Sequence, residues 1–252
     1  MLRIFSIITL MLLTGCASHD KLALLDKSKS GQINSQLPLA DNRASPDSKG
    51  LISGNNDSAK PKSKHHQQNL KYNELLSKVK VLPTLEDIVK LKNLYIQTDY
   101  YQPFLGDEHD LSVNLFQQIN NKQWRKCLVS AKQILAENFI SINGHYGAMA
   151  CYFETEQHHH SKQHRTILSM LLEAMWSSGN GRSPEQAIYS TSNVELYSFL
   201  SLTGLEVVKQ SLIEIGEKSY DKIGVKDPDT DEEFDLYFDV TTQWQLGLKD
   251  IQ

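Results

Sequence analysis

Phe234-Asp235-Leu236-Tyr237-Phe238-Asp239-Val240 places large apolar residues at every second position, with Asp, Tyr and Asp between them. A period of two is the signature of a strand with one face on a core, here Phe234, Leu236, Phe238 and Val240. Asp227-Pro228-Asp229-Thr230 supplies a turn in front of it, since Asp and Pro pre-form tight turns. Working backwards, residues 220–226 and 206–213 read as two further strands. Gly204 stops a helix that begins at the capping box Ser192-Asn193-Val194-Glu195 and carries Leu196, Tyr197, Phe199, Leu200 and Leu202. Ser183-Pro184-Glu185 reads as a single turn before a short strand over residues 187–191. The order strand–helix–strand–strand–strand predicts a small, mainly antiparallel sheet packed against helices, an α+β fold.

Upstream, the apolar period changes to that of a helix. Thr84 is the expected N-cap of a helix in which Leu85, Ile88, Leu91 and Tyr95 share a face, with Asp87 in the capping-box position. Tyr100-Tyr101-Gln102-Pro103 ends it. Further helices are expected over residues 110–119, 122–136, 141–155 and 161–176, joined by short connections that make neighbours antiparallel. The resulting helical hairpins are similar in size to tetratricopeptide pairs, although the full repeat consensus is absent. Gly144, Gly147, Ala148 and Cys151 form a stripe of small residues along which a second helix can approach closely.

Residues 1–15 hold one cation, Arg3, and an apolar run too short for a bilayer span, which takes about 20 residues. This is the pattern of a secretory signal. Leu13-Thr14-Gly15-Cys16 resembles the bacterial lipobox, so Cys16 is the expected site of lipid attachment, its acyl chains joining the protein to a membrane. Ala17, where an Asp would retain a lipoprotein in the inner membrane, predicts the outer membrane, facing the periplasm.

Residues 16–70 contain no aromatic residue and no sustained apolar period beyond Leu22-Ala23-Leu24-Leu25, the composition of a disordered linker. Residues 71–252 are the expected globular domain. Residues 17–70 carry eight Lys plus Arg and five Asp, so the acidic excess of the chain lies in the domain. The formal charge of −4 gives no reason to expect nucleic acid as a partner.

Candidate chemistry is sparse. His158-His159-His160 and His164 cluster at a helix start, with His160 and His164 one turn apart as two metal ligands would be. No third ligand is fixed by spacing, and a solvated turn explains the run equally. His145 reads as a hydrogen-bonded core residue or a ligand-binding one. Asp227, Asp229, Asp231, Glu232 and Glu233 superficially suggest calcium, but Glu232 and Phe238 occupy the positions where an EF-hand loop needs Gly and Glu. A charged hairpin tip is the expectation. Gly179-Asn180-Gly181-Arg182-Ser183 lacks the Gly-Lys-Ser/Thr ending of a phosphate loop. Glu154 and Glu156, two apart on a helix, would point away from each other. No Gly-x-Ser-x-Gly turn or catalytic cysteine setting occurs. No catalytic residue, metal ligand or cofactor is therefore assigned. Cys127 and Cys151 lie at similar heights in an antiparallel hairpin and read either as a disulfide or as two buried thiols.

Ser178-Gly179-Asn180-Gly181-Arg182-Ser183-Pro184-Glu185-Gln186-Ala187-Ile188, Glu195-Leu196-Tyr197-Ser198-Phe199-Leu200, Tyr220-Asp221 and Leu236-Tyr237-Phe238-Asp239-Val240 together resemble the bacterial domain of unknown function 4919. The stretch around Trp124 and Gly144-His145-Tyr146 fits the same pattern. Asn180 stands where that family usually has an acid, and Leu196 where it has Tyr. The resemblance implies no reaction and no site residues.

These readings together describe a lipid-anchored envelope protein whose domain binds an envelope protein or a peptide, the helical hairpins offering a docking face. Two other expectations follow from the same residues. One is a periplasmic hydrolase or metal-dependent enzyme using His145 or the His160/His164 pair. The other is an immunity-type inhibitor of a periplasmic toxin.

Overall fold

The computed structural model describes residues 65–104 and 106–247. The expected signal segment, Cys16 and nearly all of the expected linker lie outside the described residues. The helical half comprises α1 (His66–Val81), α2 (Leu85–Tyr95), α3 (Asp107–Asn120), α4 (Trp124–Glu137), α5 (Ile142–Glu154) and α6 (His158–Ser178). A 3₁₀ turn at Pro184–Gln186 leads into β1 (Ile188–Tyr189), α7 (Asn193–Thr203), β2 (Glu206–Ile215), β3 (Lys218–Lys226), β4 (Glu233–Asp239) and α8 (Thr241–Gly247). The fold is α+β.

The sheet runs β1-β4-β3-β2, with β1 parallel to β4 and the other pairs antiparallel. The alternation in β4 is realised as burial: Leu236, Phe238 and Val240 are buried, and Ile223 and Val225 of β3 join them on the same face. Phe199 of α7 meets Phe238 edge-on at 6.0 Å between ring centroids, and Trp176 of α6 meets Phe199 at 4.8 Å. This aromatic stack joins the sheet to the helices, each such side chain contributing roughly 1.5–3 kcal/mol through burial.

The helix ends follow from their caps. Thr84 Oγ1 accepts from Asp87 N at 3.1 Å, Ser141 Oγ from Gly144 N at 3.0 Å and Ser192 Oγ from Glu195 N at 3.1 Å. Gly204 ends α7 in the left-handed conformation with φ 76°. The small-residue stripe of α5 is used from two sides. A Cβ on Gly144 would come within 2.8–2.9 Å of Leu135 and Ile134 in α4, and one on Gly147 within 2.5 Å of Leu115 in α3.

The structure extends the sequence reading at several ends. The first helix opens at His66, inside the stretch whose composition read as linker, and buries Tyr72 and Val79 against the core. Its exposed face is so polar that the short apolar stripe does not stand out. The helix expected over 110–119 begins at Asp107, that expected over 161–176 begins at His158, and β2 and β3 are each two residues longer than expected. The added residues close a two-residue turn in which Gly216, at φ 63°, supplies the positive φ of a type II′ hairpin. Among the described residues no helix is long and apolar enough to cross a membrane.

Candidate functional site

Helix pairing brings together two histidines that are 19 positions apart. Nδ1 of His145 on α5 lies 3.0 Å from Nδ1 of His164 on α6, and Nε2 of His145 lies 2.8 Å from the Phe139 carbonyl. A carbonyl can only accept, so His145 carries its proton on Nε2. Its bare Nδ1 then accepts the Nδ1–H of His164. Burial, with His164 alongside, pushes His145 down to about 3, against the opposing pull of the Phe139 carbonyl. Burial, then His160 and Lys132, pushes His164 down to about 4. Both rings are held neutral.

His160 stands one turn before His164 on α6. Its ring packs on Tyr152 at 5.0 Å and its Nδ1 lies 3.2 Å from Gln163 Oε1, while His164 stacks on the same Tyr152 at 5.6 Å. Among the described residues, no three His, Cys, Asp or Glu side chains gather as a metal-binding group. Beside the histidines, Cys127 of α4 and Cys151 of α5 form a disulfide with Cα atoms 6.2 Å apart, choosing between the two readings of the cysteines. Closing that loop contributes roughly 3–4 kcal/mol in the chain-entropy account.

A second polar constellation was not legible as a site. Lys92 of α2 and Glu195 of α7 are both buried, with Lys92 Nζ 2.7 Å from Glu195 Oε1. Apart from this ion pair Oε1 accepts no hydrogen bond, whereas Oε2 accepts from Thr191 N at 2.7 Å and Thr191 Oγ1 at 2.8 Å. Tyr101 Oη donates to the Thr191 carbonyl at 2.6 Å. Near this pair stands Glu108, whose carboxyl is raised by burial and by the charge of Glu195, against the bonds from Ser141 and Asn138. The available signal was a lysine four residues after Ile88, on the buried stripe of α2. Its partner could not be named, because Glu195 already has a local role three residues after Ser192.

A third group joins α7 to the sheet. Tyr197 Oη donates to Gln210 Oε1, and burial raises the Asp221 carboxyl beside them although a hydrogen bond from Gln210 opposes the rise. Gln210 belongs to β2, which among the described residues is paired on one side only, with β3. The strand is ten residues long and mostly exposed, including Val208, Leu212 and Ile215. Its free edge therefore presents unpaired backbone donors and acceptors beside apolar side chains.

The remaining sequence candidates have local explanations. Gly181, at φ 73°, donates to the Gln186 carbonyl at 2.7 Å and accepts from Tyr237 N at 2.8 Å, so the 179–183 loop is stitched to β4. Arg182 lies 3.9 Å over the Phe234 ring. The acidic stretch is the β3–β4 turn: Asp227 Oδ1 accepts from Asp229 N at 2.8 Å, and Lys226 pairs with Asp231 at 2.5 Å. Glu156 takes positive φ in the turn after α5 and does not continue the helix that carries Glu154.

Several residues that carried the resemblance thus make tertiary ties: Glu195 anchors Lys92 of the helical half, Tyr197 and Asp221 join α7 to the sheet, and Gly181 ties the loop to β4. No curated protein and no solved structure matches the chain. A family model described as a domain of unknown function (DUF4919) matches residues 57–247. That match covers α1 through α8, and the chain belongs to the DUF4919 family.

Proposed function

We propose that this chain is a lipid-anchored envelope protein, attached through acyl chains on Cys16 in the outer membrane and facing the periplasm, whose domain binds an extended segment of another envelope protein. The observation that carries the binding reading is the edge of β2 that no other described strand pairs, where Val208, Leu212 and Ile215 flank the backbone ladder. An added strand satisfies that ladder, and the exposed side chains supply selectivity. This replaces the helical hairpins with the sheet edge as the docking element. The anchoring reading is supported by Leu13-Thr14-Gly15-Cys16 and Ala17, and by a buried Cys127–Cys151 disulfide, which suits an oxidising compartment. The hydrolase reading has less support, because His145 Nδ1 and His164 Nδ1 are bonded to each other.

The test places a photoreactive residue at Leu212 in intact cells, with Val129 on the exposed face of α4 as control. A discrete crosslinked protein is expected from 212, absent from 129 and lost when Val208 and Ile215 are changed to Lys. Equal products from both positions would remove the basis for the binding reading. In parallel, Cys16→Ser should leave an unprocessed precursor.

A further inference from the structure

We propose that His145 and His164 are the two ligands of a soft monovalent cation, of the copper(I) or silver(I) kind, held between α5 and α6. Three features of the pair are those of a ligand set. The two Nδ1 atoms face each other at 3.0 Å across the helix contact. His145 is fully buried, and its other nitrogen, Nε2, donates to the Phe139 carbonyl at 2.8 Å. Metal-bound histidines almost always make such a second bond, because it fixes the tautomer and aims the lone pair of the remaining nitrogen. His164 is half-buried, so its ring gives an ion a way in from solvent.

The number and kind of the donors select the ion. Structural zinc takes four ligands, and calcium and magnesium take six or more, mostly oxygens. Here two nitrogens converge, and among the described residues no third His, Cys, Asp or Glu joins them. Monovalent ions of the copper group have a filled d shell and accept two opposed donors in a line, and imidazole is among the ligands that suit copper. Cys127 and Cys151, whose thiols would compete for such an ion, are bonded to each other. The neighbouring charge points to the same choice. Lys132 Nζ lies 5.8 Å from the centroid of the Tyr152 ring on which His164 stacks, so a singly charged ion meets half the repulsion of a divalent one.

Binding replaces the proton that bridges the pair. His164 gives up the proton on Nδ1 and takes one on Nε2, so both rings stay neutral and no net proton is released. Metal–imidazole bonds are about 2.0 Å long, so two opposed nitrogens stand about 4 Å apart, about 1 Å farther than in the hydrogen-bonded pair. His145 is held in place by burial and by the Phe139 carbonyl, so the movement falls to half-buried His164, which can slide over the stacked Tyr152 ring without losing it. Both positions of a linear ion are then filled by protein, with none left for an activated water. The site binds an ion and does not perform metal-assisted hydrolysis.

The test is silver(I) titration of the purified full chain carrying Cys16→Ser, which removes the one cysteine outside the disulfide, with the imidazole nitrogen-15 resonances as readout. One equivalent should shift the Nδ1 resonances of His145 and His164 together and leave those of the exposed His158 and His159 in place. His164→Gln should weaken binding more than about 100-fold, beyond what loss of an outer partner does, while His160→Gln should leave it within about twofold. The resonances of the unsubstituted pair decide the matter without any variant that fails to fold. Silver(I) that leaves the pair unshifted, or that shifts the 158–160 run first, overturns the proposal. So does zinc(II) that shifts the pair at the same concentration as silver(I). None of these results bears on the β2 edge, which shares no residue with this site.

Discussion

Two pairs of polar side chains, one fully buried and the other with a half-buried member in His164, are held in this domain under opposite electrostatic terms. His145 and His164 lie between successive helices and are neutral; Lys92 and Glu195 lie between the helical half and the mixed half and are charged. The neutral pair is local. α5 and α6 already pack together, with Ser161 Oγ of α6 donating to the Met149 carbonyl of α5 at 2.8 Å, so the histidines add one hydrogen bond to an existing contact. The ion pair is long-range and fixes where α2 meets the start of α7. Taking two charges out of water costs as much as their attraction returns, so its value lies in specifying one docking arrangement. The neutral pair responds to pH, and the buried charged pair responds to mutation.

The largest expected effect comes from breaking the charged pair on one side only. Lys92→Met should leave Glu195 buried and unneutralised and cost about 3–5 kcal/mol, whereas Lys92→Met with Glu195→Leu should recover most of that loss. Urea unfolding of the three proteins measures it; a double variant as weak as the single one would mean that the pair, not the uncompensated charge, supplies the stability.

The neutral pair should dominate the acid response. The folded-state value of His145 is depressed to about 3 from an ordinary 6.5, so the unfolded chain binds more protons between those limits. Its contribution is fully present above pH 6.5 and falls as pH is lowered toward 3, by about 2 kcal/mol at pH 5. His164, depressed in the same direction, reinforces the trend. Thermal unfolding between pH 7.5 and 4.5 reads this, and His145→Gln should flatten the profile. An unchanged slope in that variant would place the acid sensitivity elsewhere.

The smallest effect separates local capping from the tertiary role of the neighbouring glutamate. Ser192→Ala removes the acceptor for Glu195 N and should cost about 1 kcal/mol. It should leave the Lys92–Glu195 contact intact, so its effect should add to that of Lys92→Met within about 0.5 kcal/mol.

The elements most legible in the sequence are those whose signal is local. Phe234 to Val240 alternates, Thr84 and Ser192 cap, and Gly204 terminates; each was visible from a window of a few residues. The first helix was missed because its apolar stripe, Tyr72, Leu75, Leu76 and Val79, sits in a polar run with no cap. α8 was missed because seven residues are too few to show a period. His160 and His164 were flagged as a pair and His145 by itself, but which of them would meet was set by the rotation of α5 against α6. One turn of helix separates His160, packed over Tyr152, from His164, bonded to His145.

What the sequence determined by itself was the class of fold, the order of its elements, the family pattern and the expectation of a lipid at Cys16, because all of these are written in short-range periodicities and contiguous motifs. The tertiary structure alone decided that Cys127 and Cys151 join, that Lys92 finds Glu195, that the two histidines share a proton donor and acceptor, and that β2 is left on the edge of the sheet. Each of those depends on how far one element is turned or shifted against another. That is fixed by packing between residues distant in the chain, about which a local pattern carries no information.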